Sequence, residues 1–142
     1  MDTLIAFDPG GTTGWCRFER MYGNTWRVNT FGQFSTDQMK RIPELIVPGD
    51  MVVFERIHML HLGFDPIGLE VIGAIKMWCQ IEGNTYIGQS PGILSGAKVW
   101  PDLDEARKWF KGQQHALDAF YHGVTYLGLK SMNMTKPPIG QS

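Results

Sequence analysis

Apolar runs, broken by Gly, Pro and Asn clusters, divide this chain into segments of two different periods. Residues 3–8 and 13–20 read as strands. The first is the run Leu4–Ile5–Ala6–Phe7, closed by Asp8 and a Pro9–Gly10–Gly11 turn. Tyr22–Gly23–Asn24 is a turn signal into a third strand, Trp26–Phe34, so the chain opens as an antiparallel meander. Ser35–Thr36–Asp37 starts a helix with Met39, Ile42, Leu45 and Ile46 on its apolar face, and Pro48–Gly49 stops it. Met51–Glu55 is a buried strand that again ends in an acid.

A loop carrying Arg56, His58 and His61 precedes a long helix from Pro66 to about Glu82. Its Leu69, Ile72, Ile75, Met77 and Trp78 spread over more than one face, which predicts burial on two sides. Gly83–Asn84 ends it, and Thr85–Ile87 is a short fifth strand. Residues 89–100 mix a helix start at Ser90–Pro91 with loop-forming glycines. Asp102–Lys111 is a short helix with acids first and bases last, as the helix dipole favours. Gln113–Leu129 is the final helix, and residues 131–142 are expected to be a flexible tail after one domain spanning 1–130. Three antiparallel strands followed by two parallel ones, with helices between and after, predict an α/β fold. The sheet is mixed, five-stranded, and covered on both faces.

Composition narrows the class. The 142 residues are 43% hydrophobic and 19% charged, as in a globular domain. No apolar run approaches the ~20 residues of a membrane span. The first strand begins at once, with no signal-like leader, and Cys16 and Cys79 lack metal spacing; both features point to a reducing, cytoplasmic setting. A net charge of −1 argues against a simple basic nucleic-acid coat, although Arg107, Lys108 and Lys111 lie close together.

Candidate chemistry rests on acids at element ends. Asp8 alone is a turn-capping Asp or a group facing a cation or phosphate. His115, Asp118 and His122 share one helix face, and this helix alone reads first as a solvated stripe with an intrahelical Asp–His pair. In combination they mean more. The first and fourth strands are natural neighbours, so Asp8 and Glu55 would repel one another unless a cation intervenes. Carboxylates with an occasional imidazole suit Mg²⁺ or Mn²⁺, and two such ions ~3.5–4 Å apart can promote phosphodiester hydrolysis.

Three stretches resemble the RuvC-type Holliday-junction resolvases of the ribonuclease H-like superfamily. LIAFDPGGTTGW is similar to their opening strand and hairpin, VVFERIHM to their second acidic strand, and HALDAFYHGVTYL to their last acidic helix. The resemblance implies a ribonuclease H-like fold and a homodimer that cuts four-way DNA junctions. It implies two Mg²⁺ ions per site, Mn²⁺ substituting, with Asp8, Glu55, His115 and Asp118 as catalytic metal ligands. The helix GLEVIGAIKMW resembles the family's dimer helix. His58 falls where the family stacks an aromatic ring near the junction centre. Arg56, Lys98, Arg107, Lys108 and Lys111 are candidates for phosphate contacts, while residues 89–112 match poorly. Compact members occur in bacteriophages, which implies a bacterial or phage-infected host.

Three other functions compete, of which a DNA-binding or structural protein that has lost catalysis is opposed by the intact acids. DPGGTTG also resembles the phosphate-binding turn of actin and sugar kinases, a fold that needs two lobes. A related single-domain nuclease acting on RNA, flaps or other branched substrates would keep the same fold.

Overall fold

The strand that carries Asp8 is buried on both faces because Leu4 to Phe7 are all apolar. In the computed structural model, which describes residues 1–56, 66–90, 103–129 and 134–135, this strand β1 spans Thr3–Asp8. It pairs antiparallel with β2 (Thr12–Tyr22), which pairs antiparallel with β3 (Thr25–Ser35). On its other side β1 runs parallel to β4 (Met51–Glu55), and β4 runs parallel to β5 (Tyr86–Gln89). A two-residue strand β6 (Met134–Thr135) adds parallel to the far edge of β3 at Trp26 and Arg27, giving the order β5-β4-β1-β2-β3-β6. The five expected strands are all present, and β6 is an element that an unstructured tail did not include.

Side-chain alternation sorts the sheet into two cores. Leu4, Ala6, Cys16, Phe18, Met51 and Val53 face one layer. There they meet α3 (Leu103–Trp109) and α4 (Gln114–Leu127) through Phe110, Leu117, Phe120 and Tyr121. Ile5, Phe7, Phe34, Val52 and Phe54 face the other layer. That layer is covered by the short α1 (Ile42–Leu45) and by α2 (Pro66–Glu82), which contributes Val71, Ile72, Ile75 and Cys79. Both faces are therefore covered, as expected of a strand as apolar as β1.

Three expectations need correction. The helix predicted from Ser35 is a 3₁₀ segment, Thr36–Arg41, followed by one α-turn. Gln38 leaves helical geometry, and Pro43 lacks the N–H needed to continue a helix but suits the start of a new one. Helix α2 buries only one side: Met77 and Ile81 are 59% and 62% exposed, because a single layer of sheet meets it. The fifth strand runs on to Gln89, two residues past Ile87, and its register sets Gln89 beside Glu55.

The opposite end of the sheet is pinned by a pair that the sequence pattern did not signal. Arg17 donates to both oxygens of Asp50 at 2.6 and 2.7 Å and to the Leu45 carbonyl at 2.7 Å. The Asp50 carboxylate, fully buried, also accepts from the Val47 N–H at 2.9 Å and from the Thr3 hydroxyl. No helix among the described residues is long and apolar enough to cross a membrane.

Candidate active site

Register and alternation bring three polar residues to one end of the strands β1, β4 and β5. Phe7 pairs with Phe54 across β1 and β4, so Asp8 and Glu55 come next on neighbouring strand ends. Glu55 pairs in turn with Gln89 of β5. Asp8 continues the Leu4–Ala6 side and Glu55 the Met51–Val53 side, so both carboxylates lie on the face that α4 covers. The acids at 8 and 55 end their strands where the apolar run stops, and α4 supplies the groups above them.

Helix α4 can lie this close because of two glycines. Gly14 sits opposite Asp8 across the β1–β2 pair, and a Cβ on it would lie 1.9 Å from the His115 carbonyl carbon. A Cβ on Gly123 would meet the Phe18 ring at 2.1 Å. The first turn of α4 has no side-chain cap of its own at Gln113. Instead the His115 N–H donates to Gln33 Oε1 of β3 at 2.9 Å, satisfying one of the amide groups a helix start leaves open.

The expected site residues divide among separate partners. His115 Nδ1 lies 3.1 Å from Asp8 Oδ2. Glu55 Oε2 lies 2.8 Å from Nε2 of His122, whose Nδ1 lies 2.7 Å from Gln89 Oε1. Gln114 Nε2 donates to Asp118 Oδ1 at 3.0 Å. The turn after β1 is closed by Thr13, which exchanges hydrogen bonds with Gly10, and the Asp8 carboxylate takes its bond from His115. His115 reaches across to β1 with its side chain 46% exposed, while His122 is fully buried, so the polar stripe of α4 runs from the surface into the core.

The acids feel one another. Asp8 is held up to about 6, above the ordinary 3.8, chiefly because burial disfavours its charge. The hydrogen bond to His115 opposes this rise, and the negative charges of Glu55 and Asp118 add to it. Such mutual repulsion among hard oxygen donors is what a divalent cation relieves, and by donor chemistry the set fits Mg²⁺ or Mn²⁺. The side chains themselves are not gathered as ligands: among the described residues, no three His, Cys, Asp or Glu side chains form a group able to hold an ion.

The basic candidates are less informative. Arg56 is exposed, its N–H bonded to the Gln89 carbonyl at 2.7 Å. Arg107, Lys108 and Lys111 are exposed on α3 or just beyond it, with Arg107 paired to Asp104 at 3.5 Å. His58 and Lys98 lie outside the described residues. Sequence reasoning missed Gln89, and saw His122 only as part of a stripe; the i, i+4 spacing from Asp118 to His122 was the one available signal.

No family model matches the chain, and no curated protein sequence matches it. Solved structures share its fold. Thermus thermophilus RuvC aligns with a TM-score of 0.67 at 14% identity, over 96% of this chain and 99% of that one. Fowlpox virus resolvase, solved with substrate Holliday junction DNA, gives 0.62 at 13% identity, over 88% and 98%. The yeast mitochondrial Holliday junction resolvase Ydc2 gives 0.62 at 8% identity, over 87% and 78%. The chain therefore has the RuvC-type, ribonuclease H-like fold.

Proposed function

We propose that this protein is a metal-dependent endodeoxyribonuclease that cuts four-way or otherwise branched DNA junctions. What supports this is a fold shared over nearly its whole length with junction resolvases, together with an Asp8 carboxylate that is buried at the end of its strand and whose pKa is raised further by the charges of Glu55 and Asp118. In that role Asp8, Glu55 and Asp118 would hold two Mg²⁺ or Mn²⁺ ions, with His115 at the rim. Bound divalent ions would supply an activated water and charge stabilisation at the scissile phosphate. His115 holds Asp8 through its ring and is itself held by Gln33 through its backbone, so the first acid is supported from two strands. Arg56 follows Glu55 directly and is exposed, which suits a contact with DNA phosphate near the cut.

The active unit in this proposal is a homodimer. Ile67, Met77 and Ile81 leave an apolar stripe on the outer side of α2 at 41%, 59% and 62% exposure. A two-fold pairing along that stripe would bury it and give two sites for two strands of a symmetric junction. Buried free thiols at Cys16 and Cys79 suit a reducing cytoplasm, in a bacterial cell or a phage-infected host.

The test is cleavage of a synthetic four-way junction beside a flap, a linear duplex, single strands and an RNA–DNA hybrid, each with Mg²⁺ or Mn²⁺. Paired cuts confined to the junction support the proposal. Preference for the flap or the hybrid would transfer the site to the related-nuclease alternative.

A further inference from the structure

Resting on the nuclease function proposed above, we propose that His122 is a positioning residue that fixes the Glu55 carboxylate for metal binding, with Gln89 setting its ring. The geometry is specific. Glu55 and Gln89 are register partners on β4 and β5, and His122 reaches both from α4, one ring nitrogen to each. His122 is fully buried, while the Glu55 side chain remains 23% exposed. An ionised carboxylate only accepts hydrogen bonds, so Nε2 carries the hydrogen that Glu55 Oε2 receives at 2.8 Å. Nδ1 then faces the Gln89 amide, which satisfies it by presenting either its oxygen or its NH₂ group.

The consequence is directional. One Glu55 oxygen is tied inward to α4, and among the described residues the other accepts no side-chain hydrogen bond. A carboxylate anchored through one oxygen loses little rotamer freedom when the other binds a cation. A histidine ring donating to a ligating carboxylate from behind is the kind of outer support that sets metal affinity. A buried imidazole needs partners for its ring nitrogens wherever it sits; what is particular here is that one of them is the Glu55 carboxylate.

The experiment compares parent, His122→Leu, His122→Gln and Gln89→Leu. Mn²⁺ binding is read by titration calorimetry, junction binding in EDTA by gel shift, and folding by melting in EDTA. His122→Leu is expected to weaken Mn²⁺ binding by about 10- to 100-fold. Metal-free junction binding should stay unchanged, and cleavage should recover at high Mn²⁺. His122→Gln keeps a donor near the Nε2 position and should restore most of the affinity, while Gln89→Leu should give an intermediate loss.

His122→Leu binding Mn²⁺ like the parent overturns the positioning role even if the parent cuts junctions well. A parent that binds no Mn²⁺ overturns the metal reading and this inference together. Should His122→Leu not fold, ¹⁵N-histidine spectra of the parent decide. Mg²⁺ is expected to shift the His122 ring signals, and a spectrum in which only His115 responds contradicts the role.

Discussion

Gly14 and His115 touch through their backbones: a Cβ at Gly14 would lie 1.9 Å from the carbonyl carbon of His115 and 2.0 Å from its oxygen. The strand partner of Asp8 is thus the point on which the helix bearing the histidines rests. Gly14→Ala forces backbone away from backbone. It should destabilise the fold by about 1–3 kcal/mol and displace the start of α4. Gly11→Ala has nothing within 4 Å and should stay within about 0.5 kcal/mol of the parent. Urea unfolding of the two variants measures the contrast, and equal stability would contradict this packing.

Asp8 makes the molecule less stable when charged. Below its unfolded value of 3.8 the group is protonated in both states and costs nothing. Between there and about 6 the folded chain keeps a proton that the unfolded chain has released. Stability linked to this group is therefore full at low pH and lost as pH rises through about 6, to a total of about 3 kcal/mol. Without divalent ions, Asp8→Asn should melt higher than the parent at pH 8, with the gap closing near pH 4. Added Mn²⁺ should stabilise the parent more than the variant. Identical melting profiles across pH would refute the burial and crowding described for Asp8.

Asp50 and Arg17 set stability away from the site. Asp50 precedes β4 and Glu55 ends it, about 16 Å along the strand. Asp50→Ala strands the Arg17 guanidinium, 15% exposed, with a carbonyl as its remaining described partner. The expected cost is about 3–5 kcal/mol in chemical denaturation. At temperatures where the variant stays folded, Mn²⁺ affinity should be that of the parent.

Met77 and Ile81 test the assembly. Both are more than half exposed, so glutamate at the two positions should leave each chain folded, with melting lowered only by the stabilisation that pairing supplied. Sedimentation should nevertheless show a monomer where the parent is a dimer, and paired junction cuts should become single nicks. A parent that sediments as a monomer even with junction bound would remove the symmetric arrangement.

Much of this was legible because the signals are local. The run Leu4–Phe7 ending in Asp8, and Met51–Phe54 ending in Glu55, carry strand and acid in one stretch. The limits of α2 follow from Pro66 and Gly83. What escaped depends on pairing between distant segments. Gln89 gains meaning only from its register with Glu55, and His122 only from where α4 crosses β4 and β5. Spacing alone gives the same stripe for a solvated helix as for a site. Asp50 sat beside a Pro48–Gly49 turn, where an acid is ordinary, and its partner lies 33 residues earlier in the chain. The exposed side of α2 looked like core because apolar residues by themselves do not say whether anything covers them.

The most direct measurement is cleavage of an end-labelled four-way junction by the parent and by Asp8→Asn, each with saturating Mn²⁺, beside their binding of the same junction in EDTA. Symmetric cuts by the parent, binding by both proteins, and cleavage by the variant reduced by at least about 100-fold are expected. Equal cutting by the two proteins would contradict the proposed role of Asp8.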